Sequence, residues 1–370
     1  MSEKNTNAIF PTPLITTIIP TYRRPKLLQQ AVRSVLNQTY SHFQVCIYDN
    51  ASGDETVTVA TEIAKEDPRV KYHCHPQNIG AIPNFNYGLK QVTTPFFSFL
   101  ADDNTLLPHF FEDAINTLNR YPEAVFFAGQ TILVNEKGQK IRATLDGWPP
   151  GLIFPPEGLL NIWEKGLPTW ESVLFRKEVI NSVGLLNPSV NGSADQDFIM
   201  RIARKHILYI SKKPHALFLC HTNSQSVNRD LREVVFSHKK ILEQWLQDGG
   251  LTEAVKERIR KRWEAFVKKT ISSYLCVKCI LGNDKETMTI ASELMNKEIS
   301  LSYKPLKALI IAKLANSNRF LKRLVSAFVS WYLQIKYALI LLKNRNKNEA
   351  QKNSLHDRSA QNRRSGTATA

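Results

Sequence analysis

Two adjacent carboxylates and an amide, Asp102-Asp103-Asn104, break an otherwise apolar stretch between residues 96 and 108. Carboxylates at the end of a buried strand are costly to desolvate unless a positive group compensates them. A divalent ion carrying a diphosphate meets that need, because Mg²⁺ is commonly held by one or two carboxylates together with phosphate oxygens. The competing reading of the triplet alone is a solvated turn whose Asp and Asn cap the next helix. A second acidic pair, Asp195 and Asp197, precedes Phe198, Ile199, Ile202 and Ala203 at helical spacing. A carboxylate at a helix start that projects into a cleft can serve as a general base, although acids in a first turn also simply suit the helix dipole. His221 follows the strand-like residues 216–219 and is either a ligand or a structural hydrogen bonder.

The surrounding pattern says how such groups are brought together. Residues 14–19 form a short β-branched run of strand length, stopped by Pro20-Thr21-Tyr22. From Pro25, a residue suited to a first helical turn, Leu27, Leu28, Ala31, Val32, Val35 and Leu36 recur at helical spacing. A second strand over 43–48 ends at Asp49, followed by the turn residues Asn50-Ala51-Ser52-Gly53-Asp54. A third strand is expected over 70–73, a turn at Asn78-Ile79-Gly80, a short helix carrying Phe85, Leu89 and Val92, and a fourth strand over 96–100. Strands alternating with helices of this length predict an α/β fold with a doubly wound, mostly parallel sheet. Ligands bind outside the carboxyl ends of such strands. Thr21, Asp49, Asn78 and Asp102/Asp103 would then share one edge.

The segments TIIPTYRRPKLLQQAVRSVLNQTY, VCIYDNASGDET, PQNIGAIPNFNYGL and FLADDNTLLP, in this order, resemble the nucleotide-sugar-binding half of the family 2 glycosyltransferases, inverting enzymes of GT-A fold. The resemblance continues through VLFRKEVINSVGLLNP, SADQDFIMRIARK and CHTNSQS, covering residues 13–228. It implies that Pro20, Thr21, Tyr22 and Arg23 line the nucleotide pocket and that Asp49 accepts a hydrogen bond from the base, most often uracil. Asn78, Gly80 and Asn84 complete the donor-binding set, and Asp102 sits near the ribose. Asp103 would coordinate Mg²⁺ or Mn²⁺ on the diphosphate, assisted by His221, and Asp195 would be the base. Two departures stand out: Ala101 occupies the place of the first Asp of an Asp-x-Asp motif, and Ala194 replaces an acidic neighbour of Asp195. Trp170, Glu171 and Asp197 are weaker acceptor-pocket candidates.

The net charge of +16 is unevenly spread: residues 1–230 hold 22 basic and 21 acidic side chains, residues 231–370 hold 27 and 12. Residues 231–248 and 251–280 read as helices separated by Gly249-Gly250. No acid occurs between Glu298 and Glu349, where apolar stretches 306–314 and 324–342 alternate with basic residues and carry Trp331, Tyr332 and Tyr337. Such a segment suits the interface of an anionic membrane. Nucleic acid is a poorer partner because the basic residues accompany long Leu/Ile runs. The expected organisation is a tail (1–12), a GT-A domain (13–230, split into a donor half 13–108 and an acceptor half 109–230), a helical C-terminal extension (231–298), basic amphipathic helices (299–345) and a disordered tail (346–370). The N-terminus lacks the apolar run of a signal peptide. Cys46, Cys74, Cys220, Cys276 and Cys279 read as cytoplasmic thiols.

The function expected is transfer of a sugar from a nucleotide-sugar, UDP-linked, to a hydroxyl of a glycan or lipid-linked acceptor in polysaccharide synthesis, on the inner face of the membrane. A nucleotidyltransferase of related fold is disfavoured, since no Gly-rich phosphate loop with Lys follows the first strand. A non-catalytic nucleotide-sugar-binding protein is the alternative that Ala101 and Ala194 keep open.

Overall fold

Ile15, Ile18 and Ile19 have no exposed surface, and the run that contains them forms strand β1 (Ile15–Thr21) at the centre of a sheet. The computed structural model describes residues 14–221 and 231–274. Helix α1 (Pro25–Leu36) starts with Pro25 in its first turn and buries Leu28, Ala31, Val32 and Val35. It is followed by β2 (Phe43–Asp49), α2 (Thr56–Glu66), β3 (Val70–Cys74), α3 (Ala81–Lys90) and β4 (Phe96–Phe99). These four strands pair in the order β3-β2-β1-β4 and are all parallel. Thr21, Asp49 and Cys74 stand in register at their carboxyl ends.

The second half is built differently. It runs β5 (Thr105–Leu106), α4 (Phe110–Arg120), β6 (Ala124–Asn135), β7 (Lys140–Ala143), β8 (Gly151–Ile153), α5 (Glu157–Lys165), a 3₁₀ turn (Trp170–Ser172), β9 (Val173–Arg176) and α6 (Glu178–Val183). A second 3₁₀ segment (Pro188–Ser193) leads into α7 (Ala194–Lys205), β10 (Ile207–Cys220), α8 (Leu231–Gln247) and α9 (Glu253–Tyr274). Strand β9 inserts between β4 and β6, antiparallel to both, while β10 runs parallel to β6 along most of its length. The molecule is thus a mixed α/β fold around one sheet, with the expected helical extension begun by α8 and α9.

Stacked rings join the halves. Phe97 lies 5.0 Å from Phe175, which also meets Phe126 and Phe198. All four are fully buried, a contribution of about 2–3 kcal/mol each. Phe198 belongs to α7, so this packing fixes where that helix begins relative to β4.

The chain divides into two compact units, residues 1–267 and 268–370. The candidate site lies wholly in the first. Nearly all of the second, with the acid-free segment and its expected membrane-associating helices, lies outside the described residues, as do Cys276 and Cys279. Cys46, Cys74 and Cys220 are free thiols.

Candidate active site

The parallel half ends its strands on one edge, and four loops meet there. The first carries Thr21 to Arg24. Arg23 has a left-handed backbone (φ 55°), as does Ala51 in the facing loop (φ 59°), a conformation that costs non-glycine residues energy and recurs at functional sites. The Arg23 amide donates to Ser52 Oγ at 2.9 Å and its Nε to the Ser52 carbonyl at 3.1 Å, which locks the two loops together. Tyr22 is left 40% exposed, with the Arg23 guanidinium 5.1 Å from its ring centroid. Pro20 is half-buried below them.

Asp49 is fully buried. Its Oδ1 accepts from the Ser52 amide (2.9 Å) and Ser52 Oγ (2.6 Å), and its Oδ2 from the Tyr72 hydroxyl (2.9 Å). Asn50 organises the next turn: its Nδ2 donates to Asn78 Oδ1, which also accepts the Gly80 amide, and its Oδ1 accepts the Ile79 amide. Gly80, with φ +88°, makes the sharp entry into α3. Asn84 is buried and ties α3 to β2 through the Tyr48 carbonyl, with His75 Nε2 2.9 Å from its Oδ1. Asp49 and Asn84 therefore shape the pocket wall.

The acidic triplet follows β4 on the same edge. Thr21 Oγ1 donates to Asp102 Oδ2 at 2.8 Å. A single nitrogen, Arg24 Nη1, donates to Asp102 Oδ1 at 2.9 Å and to Asp103 Oδ2 at 2.7 Å. His221 Nε2 lies 3.2 Å from the same Asp103 oxygen. Burial pushes the Asp102 carboxyl up, against the pull of Arg24 and the Thr21 hydrogen bond. Asn104 turns away from solvent: its Oδ1 accepts the Leu219 amide and its Nδ2 donates to Glu171 Oε1 at 2.9 Å. The Asp103–Asn104 segment is thus clamped to the end of β10, which is what delivers His221 to Asp103.

Glu171 is 2% exposed and, among the described residues, its Oε2 has no hydrogen-bond partner. Burial, then the nearby charges of Asp195 and Asp103, push its carboxyl from 4.5 up to about 7. Glu171 is close enough to feel the charges of both Asp103 and Asp195. The folded chain holds this proton more tightly than the unfolded one between about pH 4.5 and 7, so stability falls as pH rises across that window. The full cost is about 3 kcal/mol. Glu171→Gln keeps the neutral shape, and its melting temperature should exceed that of the unmodified chain above about pH 7 and converge with it in acid. Identical melting curves above neutrality would contradict the assignment.

Asp195 and Asp197 both lie in the first turn of α7. Asp195 Oδ1 accepts the Gln196 amide at 2.8 Å, and Gln196 Oε1 is itself 2.8 Å from His238 Nε2 on α8. Asp197 is fully buried and paired with Arg201 at 2.9 Å. Arg201 also donates to the carbonyls of Val183 and Leu185, so this pair braces α7 against the preceding segment. Trp170 packs on Phe85 and Phe99 at 4.7 and 4.8 Å. Both residues, expected to face an acceptor, are occupied by the scaffold. Arg24, which sequence reading passed over in favour of Arg23, is the residue that bridges the two acids; its one signal was its place immediately before Pro25.

Among the described residues no group of three or more His, Cys, Asp and Glu side chains is gathered to hold a metal ion. The pair Asp103 and His221 nevertheless fits one. Adjacent ligands of an octahedral ion with bonds near 2.1 Å are separated by about 3 Å, and their ligand atoms are 3.2 Å apart.

Comparison with known proteins agrees with this geometry. Residues 16–184 match the family described as "Glycosyl transferase family 2". An uncharacterized glycosyltransferase of Rickettsia felis is 27% identical over 197 residues, 52% of this chain and 32% of that protein. A Campylobacter jejuni protein named GalNAc(5)-diNAcBac-PP-undecaprenol beta-1,3-glucosyltransferase is 37% identical over 97 residues, 26% of this chain and 31% of that protein. The chain thus matches about a third of the length of these curated relatives. The crystal structure of S. aureus TarS 1–349 in complex with UDP-GlcNAc superposes with a TM-score of 0.56 at 16% identity, covering 85% of this chain and 90% of that one. Residues 16–184 thus match a family 2 glycosyltransferase model, and the chain folds as a GT-A-type α/β structure.

Proposed function

We propose that the protein transfers a sugar from a UDP-linked donor to a hydroxyl of a lipid-linked or glycan acceptor, with inversion at the anomeric carbon, in cell-surface polysaccharide synthesis. The observation that carries the reading is the convergence of Thr21, Arg24, Asp102, Asp103 and His221 on one edge, with Asp195 near enough to influence the same buried Glu171 that Asp103 does. The UDP-GlcNAc of TarS supports the donor class, and the PP-undecaprenol in the Campylobacter relative's name supports a lipid-linked acceptor.

Thr21 and the strained Arg23 turn would cradle the nucleoside, with the Asp49–Ser52 loop as its wall. Asp103 and His221 would hold Mg²⁺ or Mn²⁺, which when bound offsets the charge that builds on a departing diphosphate. Asp195 takes the proton of the acceptor hydroxyl as that oxygen bonds to the anomeric carbon and the bond to the diphosphate breaks. Glu171, buried at this edge, would help keep the site dry. Release of free UDP from a mixed panel of UDP-sugars and acceptor hydroxyls tests the reading. UDP release that requires an acceptor supports it, and none across the panel refutes it.

We also propose that the chain works at the inner face of the membrane. Among the described residues no helix is long and apolar enough to cross a membrane, and the support is the basic, acid-free sequence between Glu298 and Glu349. Each basic residue near an anionic surface contributes roughly 1 kcal/mol. The full chain should co-sediment with anionic vesicles, less so in high salt or with neutral lipid. A chain shortened by residues 300–370 should stay in the supernatant. Equal binding of the two would refute the anchor.

A further inference from the structure

The diacid of this site already has a cation. Arg24 Nη1 bridges Asp102 Oδ1 and Asp103 Oδ2 at 2.9 and 2.7 Å, and the three side chains are only 26%, 7% and 12% exposed. The bridged Asp103 oxygen is also the one that faces His221 at 3.2 Å. The guanidinium nitrogen therefore occupies the oxygen through which Asp103 would bind a divalent ion. A guanidinium and a divalent ion cannot share one poorly solvated carboxylate oxygen without strong repulsion.

Arg24 is placed to leave. Its backbone is fixed, since its carbonyl accepts the Leu28 amide at 2.9 Å as α1 begins, but among the described residues its side chain is anchored only by the two acids. Arg23, the neighbouring alternative, is held by the Ser52 carbonyl and the Tyr22 ring. A diphosphate arriving at this edge offers the guanidinium a bidentate anionic partner at least as good as the carboxylates it gives up.

We propose that Arg24 is an exchangeable latch: it bridges Asp102 and Asp103 before substrate binds and moves to the diphosphate when a divalent ion enters together with the nucleotide. The single guanidinium offsets one of the two carboxylate charges, and the divalent ion offsets both. The two carboxylates are partnered first by the guanidinium and then by the divalent ion, while the guanidinium follows the incoming phosphate charge. This rests on reading Asp103 and His221 as the metal ligands. It adds that the free ion binds poorly alone and that ion and nucleotide bind with strong positive coupling, equal in both directions.

The test is Mn²⁺ binding to the full chain by calorimetry at neutral pH, with and without UDP, for the unmodified protein, Arg24→Gln and Asp103→Asn. Without UDP, Arg24→Gln should bind Mn²⁺ about tenfold tighter than the unmodified chain, and UDP should improve its Mn²⁺ affinity far less. A merely structural arginine would not yield a gain of metal affinity on removal. Arg24→Lys, whose compact ammonium is more strongly hydrated and sits on a shorter stem than the guanidinium, should fall between the two and serves if the Gln variant does not fold. Mn²⁺ that binds the unmodified and Arg24-substituted chains equally, but not Asp103→Asn, overturns the latch and leaves the metal site standing. Mn²⁺ that binds none of them, with or without UDP, overturns both.

Discussion

Asp195→Asn is expected to lower turnover by about 100- to 10,000-fold while leaving donor affinity nearly unchanged, the range that follows when a general base is removed. The amide keeps the size of the carboxylate and can still accept the Gln196 amide through its oxygen, as Asp195 Oδ1 does at 2.8 Å, so the first turn of α7 should be undisturbed. The acceptor hydroxyl, however, loses the group that takes its proton. Titration calorimetry with a UDP-sugar and steady-state kinetics separate the two effects, since an interaction made only in the transition state lowers kcat without weakening binding. Donor affinity lost together with an unchanged rate for bound enzyme would make Asp195 a donor-site residue.

Asp103→Asn is the companion change at the acidic pair. It preserves volume and a hydrogen-bonding oxygen but removes one charge from the group that Arg24 and His221 both address. A departing diphosphate deprived of its counter-charge should cost about 100- to 1,000-fold in turnover, the scale seen when one preorganised electrostatic partner is deleted. Thermal unfolding should change little, because one partner of Arg24, Asp102, remains. Turnover insensitive both to this substitution and to EDTA would remove the metal from the account.

What the sequence disclosed and what it hid follow from the range of the forces involved. The parallel half was legible because its signals are local. The β-branched run of β1, Pro25 at the start of α1 and the turn at Asn50 to Asp54 each act within a few residues, and parallel connectivity then brings their strand ends to one edge. The insertion of β9 between β4 and β6 was not legible, since pairing partners distant in the chain leave no periodic trace. Nor was the full length of β10, whose Lys212 and Lys213 interrupt its apolar pattern.

Side-chain roles divide the same way. Asp102, Asp103 and His221 were found as residue types, and the structure brings them together. Arg23 and Arg24 are chemically identical neighbours, and only the left-handed backbone at Arg23 sends the first to Ser52 and the second to the acids. Glu171 became conspicuous through complete burial beside two other carboxylates, a long-range property. Asp197 reads like Asp195 in sequence, yet Arg201 one helical turn later takes it into the scaffold. An acid with a basic residue four positions on, on a helical face, was the available signal.

The central claim is a single displacement in which Asp195 activates the acceptor and the diphosphate leaves from the opposite face of the sugar. Proton NMR of the product formed from an α-linked UDP-sugar, an acceptor panel and Mn²⁺ reads this directly from the anomeric coupling constant. The account predicts a β-linked product, absent when Asp195→Asn replaces the unmodified chain. An α-linked product, or the same product at undiminished rate from the variant, would contradict it.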